Sequence, residues 1–269
     1  MSEAPARPTR FAGESWRTAS AMHARAVGAV IMRDLQTRFG AGYLGFLLGL
    51  IMPLGHLTVA MTVMSVLGRS APIGPSIPLF AMTGILPFII WLYTHRQIMV
   101  TLAQNRPLLY FPGVDVFDLF SARIILEVSS ATLVVVIVLT TLALIGHDIN
   151  PDDPARFVYG LVEAWLLGIS TGLFFGVAGA LAPALILIGS LLGPLFWVTS
   201  GIIYLPDLLP EKLIDVLKYF PLCQIVDGTR MGFYSEYESS FYSAAYPAIA
   251  ILALLFISSV ILQVVRKVT

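Results

Sequence analysis

Long apolar runs separated by short polar stretches dominate this sequence. Six of the runs have about the 20-residue length that crosses a bilayer as a helix. They predict six membrane-spanning helices, at about 43–67, 78–99, 119–145, 157–181, 185–204 and 244–265. The turn between the fourth and fifth runs, near Pro183, carries no charged residue. These two runs are interpreted either as two spans or as one broken, re-entrant element.

The polar segment before the first span has two parts. Residues 1–20, with scattered Pro and Arg, are expected to be a disordered tail. Residues 21–41 are expected to form an amphipathic helix, because Val27 and Val30 share one face while Arg25 lies on another. A helix with one basic and one apolar face is typical of the membrane surface.

The segment between the fifth and sixth spans is also patterned. Leu209, Leu213 and Leu217 recur at helical spacing until Pro221, and a second helix is expected over residues 222–232. We therefore predict amphipathic helices on the outer side of the membrane, dipping into the outer leaflet.

Composition supports a membrane protein. Hydrophobic residues make up 57% of the chain and charged residues 12%, whereas a soluble domain carries about 25% charged residues. The fold class predicted is an all-α integral membrane protein, with a six-span domain over residues 42–269. Six arginines precede the first span, and Arg266 and Lys267 follow the last. By the positive-inside rule, both termini are expected in the cytoplasm.

Three features inside the spans suggest helix contacts. Gly168, Gly172 and Gly176 recur every fourth residue and allow close helix packing, either within one subunit or along a seam that slides during transport. Arg123 and Glu127, four residues apart, are predicted to be a structural pair. Glu163, with Trp165 nearby, either lines a pathway or hydrogen-bonds a neighbouring helix.

Aromatic residues are dense on the predicted outer side. They form either an interfacial belt or a set of flat apolar faces along which sugar rings slide. The residues assigned to a substrate path together with Glu163 and Trp165 are Tyr219, Tyr234, Tyr237 and Tyr242.

The motifs that the sequence lacks restrict its chemistry. No G-x-x-x-x-G-K-[ST] phosphate loop occurs, so the chain is not expected to bind nucleotide in that way. Cys223 is the single cysteine, and the four histidines are scattered. We therefore expect no catalytic residues, no metal and no cofactor in this chain, and no nucleic-acid partner.

Four segments together resemble one family, the permeases of type-two ABC exporters that move capsular polysaccharide, O-antigen or teichoic acid; the capsule branch is the most similar. The segments are residues 38–45 (RFGAGYLG), Pro87-Phe88 followed by Asn105, residues 122–127 (ARIILE), and Pro221-Leu222 with Val226, Asp227 and Arg230. Two departures are Phe220, where the family has Asn, and the turn at Pro183, where the family often has Phe-Pro-Glu.

The resemblance implies a transport subunit and its partners. The chain would form a homodimer, joined by two copies of a P-loop ATPase subunit that binds ATP and Mg and contacts Arg33, Arg38, Asn105 and Arg106. The substrate would be a lipid-linked polysaccharide, and periplasmic export components would be further partners. Alternatives are a permease of the same fold that exports a drug or lipid, an intramembrane enzyme that modifies lipid, and a passive channel.

Overall fold

The computed structural model describes residues 16–39, 43–66, 71–111 and 113–268, and side chains within 16–36, 50–66, 71–111 and 113–265. All regular elements in these ranges are helices. They are α1 (Trp16–Phe39), α2 (Tyr43–Val66), α3 (Ile77–Asn105), α4 (Val116–Leu144), α5 (Pro154–Leu181), α6 (Ala184–Thr199), α7 (Glu211–Leu217), α8 (Pro221–Phe233) and α9 (Ala245–Val268), with 3₁₀ turns at Arg106–Tyr110 and Pro206–Leu208.

Four of the described helical segments are long and apolar enough to cross a membrane. They are Ile77–Tyr110, Val116–Leu144, Pro154–Leu181 and Ala245–Val265. Two shorter apolar segments, Leu50–Val66 of α2 and Ala184–Thr199 of α6, correspond to the first and fifth predicted spans. The all-helical architecture is therefore observed in the described residues, with four helices long and apolar enough to span a membrane and two shorter apolar helices.

Polar side chains define where several helices begin. Asp115 and Asp118 form a reciprocal capping box at the start of α4. Asp153 accepts a hydrogen bond from the Arg156 backbone at the start of α5, where Pro154 has no N–H to lose. Because these caps satisfy free backbone groups, α4 and α5 begin within a few residues of the predicted positions.

The centre of the bundle is the packing of α5 against α3. A Cβ atom added to Gly168 would lie 2.8 Å from Thr94 Cβ, and one added to Gly172 would lie 2.8 Å from the His95 carbonyl oxygen. Gly176 approaches the Met99 carbonyl in the same way, at 2.9 Å. The repeated small residues therefore pack two helices of one chain, which is the first of the two predicted roles.

The helix α1 differs from the prediction. It begins at Trp16, so residues 16–20 are helical, whereas they were expected to belong to a disordered tail. Its apolar residues Val27 and Val30 pack against Leu119 and Ala122 of α4. The predicted apolar face thus contacts protein at these positions, because α4 presents small and apolar side chains to it.

The outer segment also departs from prediction. Helix α6 ends at Thr199, whereas the fifth span was expected to continue to residue 204; Gly201 adopts a positive φ of 66° and turns the chain. Helix α8 is buried at every residue from 222 to 233, so it is no surface-lying amphipathic helix. It packs between α3, α5 and α9, with its polar side chains inside the protein.

Candidate functional site

Two ends of the bundle carry polar clusters. We call the end that holds α1, the end of α3 and the start of α4 the α1 end. The opposite end, which holds α7, α8 and the start of α5, is called the α8 end. The predicted site residues divide between these two ends.

A buried ionic cluster joins three helices at the α1 end. The Arg123 guanidinium lies 3.4 Å from Asp34 Oδ2 on α1 and 3.7 Å from Glu127 Oε1 on α4. It also donates hydrogen bonds to the side chain (3.1 Å) and the backbone carbonyl (3.3 Å) of Gln97 on α3. The spacing-based pair Arg123–Glu127 is within ion-pair distance, and Asp34 is a second carboxylate that the spacing did not indicate.

Two further contacts attach α1 to the same end. Arg33 Nη1 donates to Asn105 Oδ1 (2.8 Å), which joins two residues of the predicted ATPase contact. His23 Nδ1 lies 2.5 Å from Asp118 Oδ1, while Asp118 Oδ2 accepts from the Asp115 backbone N–H. The N-terminal helix is therefore held to α3 and α4 by polar contacts as well as by apolar packing.

The surface beside these contacts is exposed and partly aromatic. Arg106 begins the 3₁₀ turn after α3 and is exposed, and the side chain of Arg38 lies outside the described residues. Tyr110 and Phe111 are 76% and 62% exposed at the same turn. Sequence reasoning missed these two residues, although two aromatic residues beside Pro112 in a polar segment were a usable signal.

At the α8 end, Arg230 connects α8 to the end of α6. Its guanidinium donates to the carbonyl oxygens of Gly201 (2.6 Å), Ile202 (2.8 Å) and Tyr204 (3.1 Å) and lies 4.4 Å from the centre of the Phe80 ring. These carbonyls follow the last turn of α6, where helical partners are absent. Arg230 is completely buried, so the family motif residue acts here as an internal cap.

Asp227 lies one turn before Arg230 and is also completely buried. Burial raises the pKa of Asp227 to about 7, against the opposing effects of Arg230 and of a hydrogen bond from Ser239 (2.9 Å). Its Oδ1 atom has no hydrogen-bond partner among the described residues. This carboxyl group therefore changes its charge near neutral pH.

The predicted path residues on α5 are largely inside the protein. Glu163 is 3% exposed, and its Oε1 atom has no hydrogen-bond partner within the described ranges. Tyr159 and Tyr242 lie within electrostatic range of its carboxyl group. The indole N–H of Trp165 is buried and has no hydrogen-bond partner among the described residues.

The four outer tyrosines do not form one surface. Tyr219 is 64% exposed, whereas Tyr234 is 6% exposed and packs closely against Gly74. Tyr237 donates a hydrogen bond to Asp207 (3.1 Å), and Tyr242 packs on Gly228 of α8. In this conformation only Tyr219 presents most of its surface to its surroundings.

An apolar cavity of about 520 Å³ opens between α2, α3 and the residues that follow α6. His56 lies at its wall and stacks on Trp197, with ring centres 5.4 Å apart. Phe80 and Tyr204 line it further towards the α8 end. Such a cavity suits hydrocarbon with few polar contacts.

Comparison with known proteins gives relatives but no matching family model. The chain is 28% identical to the capsule polysaccharide export inner-membrane protein CtrC of Neisseria meningitidis serogroup B, over 82% of this chain and 85% of that protein. It is 29% identical to the polysialic acid transport protein KpsM of Escherichia coli, over 86% and 90% of the two chains. For the capsule polysaccharide export inner-membrane protein BexB of Haemophilus influenzae, identity is 25% over 93% and 94%.

These similarities extend across the helices described above and beyond the four short motifs. They agree with the resemblance drawn from those motifs, including its capsule branch. Over most of its length, the chain is similar to inner-membrane permeases of capsule polysaccharide export.

Proposed function

We propose that this chain is the transmembrane permease subunit of an ATP-driven exporter of lipid-linked cell-surface polysaccharide, with capsule as the expected product. The observation that carries the proposal is its 24–29% identity with seven capsule and polysialic acid export proteins, over 82–93% of its length. The same similarity favours this function over a drug or lipid exporter of the same fold and over an intramembrane enzyme.

The proposed topology has six spans in a bacterial inner membrane, with α2 and α6 as the first and fifth. Both termini and the α1 end lie in the cytoplasm, as the arginine bias suggests. Cysteines introduced at Ser2 and Asp152 test this orientation with an impermeant thiol reagent on intact cells. Asp152→Cys is expected to be labelled and Ser2→Cys protected; the native Cys223 is fully buried and gives little background. Labelling of Ser2→Cys alone would show that the chain has the opposite orientation in the membrane.

A separate P-loop ATPase subunit is proposed to dock on the α1 end and to hold ATP and Mg. The chain has no phosphate loop of its own. Arg33, Arg38, Asn105 and Arg106 are the proposed contact residues. The exposed Tyr110 and Phe111 add an apolar anchor of the kind that concentrates binding energy in protein interfaces.

The contacts at the α1 end suggest how the ATPase moves the membrane helices. The 3₁₀ turn Arg106–Tyr110 directly follows α3, so a displacement of the turn would move this helix. Two side-chain contacts, Arg33–Asn105 and Asp34–Arg123, connect α1 to α3 and α4. ATP binding that favours a closed ATPase dimer would shift these three helices as one unit.

Two permease chains are proposed to enclose the polysaccharide path. The proposed path includes Glu163 and Trp165 with Tyr219, Tyr234, Tyr237 and Tyr242, and the polymer then passes to periplasmic export components. The exposed apolar side chains of α2 and α6, such as Met52 and Leu191, suit contact with lipid or with the second chain.

Co-purification tests the complex directly. The chain, tagged and purified from its native bacterium, is expected to bring an ATPase subunit with it, as two permease and two ATPase subunits by native mass spectrometry. Replacing Tyr110 and Phe111 by Ser should release the ATPase while the permease stays folded; Leu213→Ser at the α8 end is the control. ATP hydrolysis by the chain alone, after stringent purification, would exclude the proposal that a separate subunit hydrolyses ATP.

A further inference from the structure

Arg96 is an exposed arginine within the membrane-crossing part of α3. Most side chains of this helix are buried, including Trp91 and Leu92 one turn earlier and His95 immediately before Arg96. The guanidinium lies beside α6: a Cβ atom added to Gly193 would be 3.4 Å from Arg96 Nη2. The missing side chain at Gly193 thus leaves room for the arginine head group.

Arg96 lies within the length of α3 and not at its end. It is the twentieth of the 29 residues of α3, about 28 Å along the axis from Ile77 and about 14 Å from Asn105, at 1.5 Å per residue. Gly193 lies about 14 Å from the start of α6 on the same scale. Because the Arg96 guanidinium lies beside Gly193, its charge does not reach the end of either helix.

Two other arginines show which partners a buried guanidinium has in this protein. Arg123 has two carboxylates within 4 Å, and Arg230 donates to three backbone carbonyls. Within the described ranges, neither an ion pair nor a hydrogen bond joins Arg96 to another residue. The undescribed parts of the chain contain just two acids, Glu3 and Glu14, both before α1.

The neighbouring groups do not neutralise the charge either. Arg96 is the charged residue whose field reaches His56, Tyr93 and His95, and no carboxylate among the described residues acts appreciably on those three. The other acids within spans, Glu127 and Glu163, lie beside Arg123 and Tyr159. The surface shared by α2, α3 and α6 is therefore positive at membrane depth, and the apolar cavity at His56 opens on the same three helices.

We propose that Arg96 binds an oxyanion, a phosphate or carboxylate, carried by the exported glycolipid while it passes along the α2–α3–α6 surface. This inference rests on the proposed function. An unpaired cation at this depth is costly unless a ligand or water-filled path receives it. A guanidinium matches both oxyanions through two parallel N–H donors. The oxyanion comes either from the lipid end or from acidic sugars of the polymer.

Binding to the purified chain tests the site. The chain is purified in dodecyl maltoside micelles, which contain no oxyanion, and titrated with dioctanoylphosphatidylglycerol for the lipid source and trigalacturonate for the sugar source. Dioctanoylglycerol and maltotriose are the matched probes without an oxyanion. The variants are Arg96→Gln, Arg96→Lys and the control Lys212→Gln, which removes one exposed positive charge at the α8 end.

We expect wild type to bind one or both anionic probes in preference to their counterparts without an oxyanion. Arg96→Gln should weaken that binding about tenfold or more, the loss of a charge-assisted contact, and Lys212→Gln should leave it unchanged. Loss with the lipid probe alone assigns the lipid end, and loss with trigalacturonate alone assigns the sugar chain. Equal binding by wild type and Arg96→Gln, or no preference for anions, would overturn the proposal.

Arg96→Lys keeps the test decisive if the Gln variant does not fold. Lysine preserves the charge but cannot form two parallel hydrogen bonds, so we expect severalfold weaker binding; unchanged affinity overturns the bidentate site. Surface polysaccharide made by wild type in a deletion strain tests the proposed function separately. Restored polysaccharide with unaltered anion binding in Arg96→Gln rejects this inference alone, whereas unrestored polysaccharide rejects the function itself.

Discussion

The guanidinium of Arg123 lies 3.4 Å from the carboxylate of Asp34, and both side chains are buried where α1 meets α4. This contact, across 89 residues of sequence, makes α1 part of the bundle. Replacing Arg123 by Ala leaves Asp34 and Glu127 without their shared cation and is expected to cost about 3–5 kcal/mol. Glu127→Ala should cost less, because Arg123 retains Asp34 and Gln97.

A double-mutant cycle measures this coupling. Thermal unfolding of purified Asp34→Ala, Arg123→Ala and the double variant should give a double loss well below the sum of the single losses. The exposed pair Lys218–Asp215 (2.6 Å) is the control, and its coupling should be much smaller because solvent screens both charges. Strictly additive losses for Asp34 and Arg123 would show that the two side chains do not interact.

The α3–α5 contact predicts a steric effect at Gly172. Gly172→Ala places a methyl group 2.8 Å from both the His95 carbonyl oxygen and Ile98 Cβ, so it should destabilise the protein by about 1–3 kcal/mol. Gly28→Ala in α1 meets no atom within 4 Å and should be neutral or stabilise by about 0.5–1 kcal/mol. Equal melting temperatures of the two variants would contradict the close packing.

Asp227 predicts a pH dependence of stability. Burial raises the pKa of Asp227 to about 7 in the folded protein, against 3.8 for an exposed aspartic acid, so the folded state holds this proton over the range in which the unfolded state loses it. Stability from this group is therefore greatest at low pH and falls as pH rises from about 4 to 7. Asp227→Asn, which mimics the neutral acid, should gain stability relative to wild type as pH is raised from 5 to 8.

The measurement is the melting temperature of both proteins at several pH values. Other groups titrate in both proteins and cancel in the difference. A difference that stays constant from pH 5 to 8 would show that the Asp227 charge does not change in this range. Asp227→Ala controls for the Ser239 hydrogen bond, which Asn retains at Oδ1 and Ala loses.

Tyr219 and Tyr234 should respond differently to substitution. Tyr219 is exposed, and if it guides sugar rings, Tyr219→Ala lowers export per inserted molecule while Tyr219→Phe preserves the flat face. Tyr234 is buried against Gly74, so Tyr234→Ala should lower the amount of folded protein instead. The measurement is surface polysaccharide divided by membrane-inserted protein; normal export per molecule by Tyr219→Ala would leave Tyr219 as an interfacial aromatic residue.

Hydropathy predicted much of the fold. The third and fourth spans were expected at 119–145 and 157–181, and α4 and α5 cover Val116–Leu144 and Pro154–Leu181. The end of α6 was misplaced because apolar residues continue past Thr199, while Gly201 turns the backbone. Hydropathy cannot detect that turn.

The candidate site was less predictable because its partners are distant in sequence. Four-residue spacing indicated Glu127 beside Arg123, but it contained no information about Asp34 on another helix. The polar residues of α8 suggested a surface helix, whereas Arg230 is satisfied by carbonyls that only the turn after α6 brings close. Arg96 was visible in the sequence as a cation inside the predicted second span, but its lack of a partner among the described residues required the structure.

Export itself tests the central claim most directly. The chromosomal gene is deleted in its native bacterium, and surface polysaccharide is measured in the deletion strain, in a strain complemented with wild type, and in one complemented with Tyr110→Ser/Phe111→Ser. The account predicts that surface polysaccharide disappears on deletion, that glycolipid accumulates in the cytoplasm, and that wild type alone restores export. Unchanged surface polysaccharide in the deletion strain would contradict the assignment of this chain as the exporter's permease.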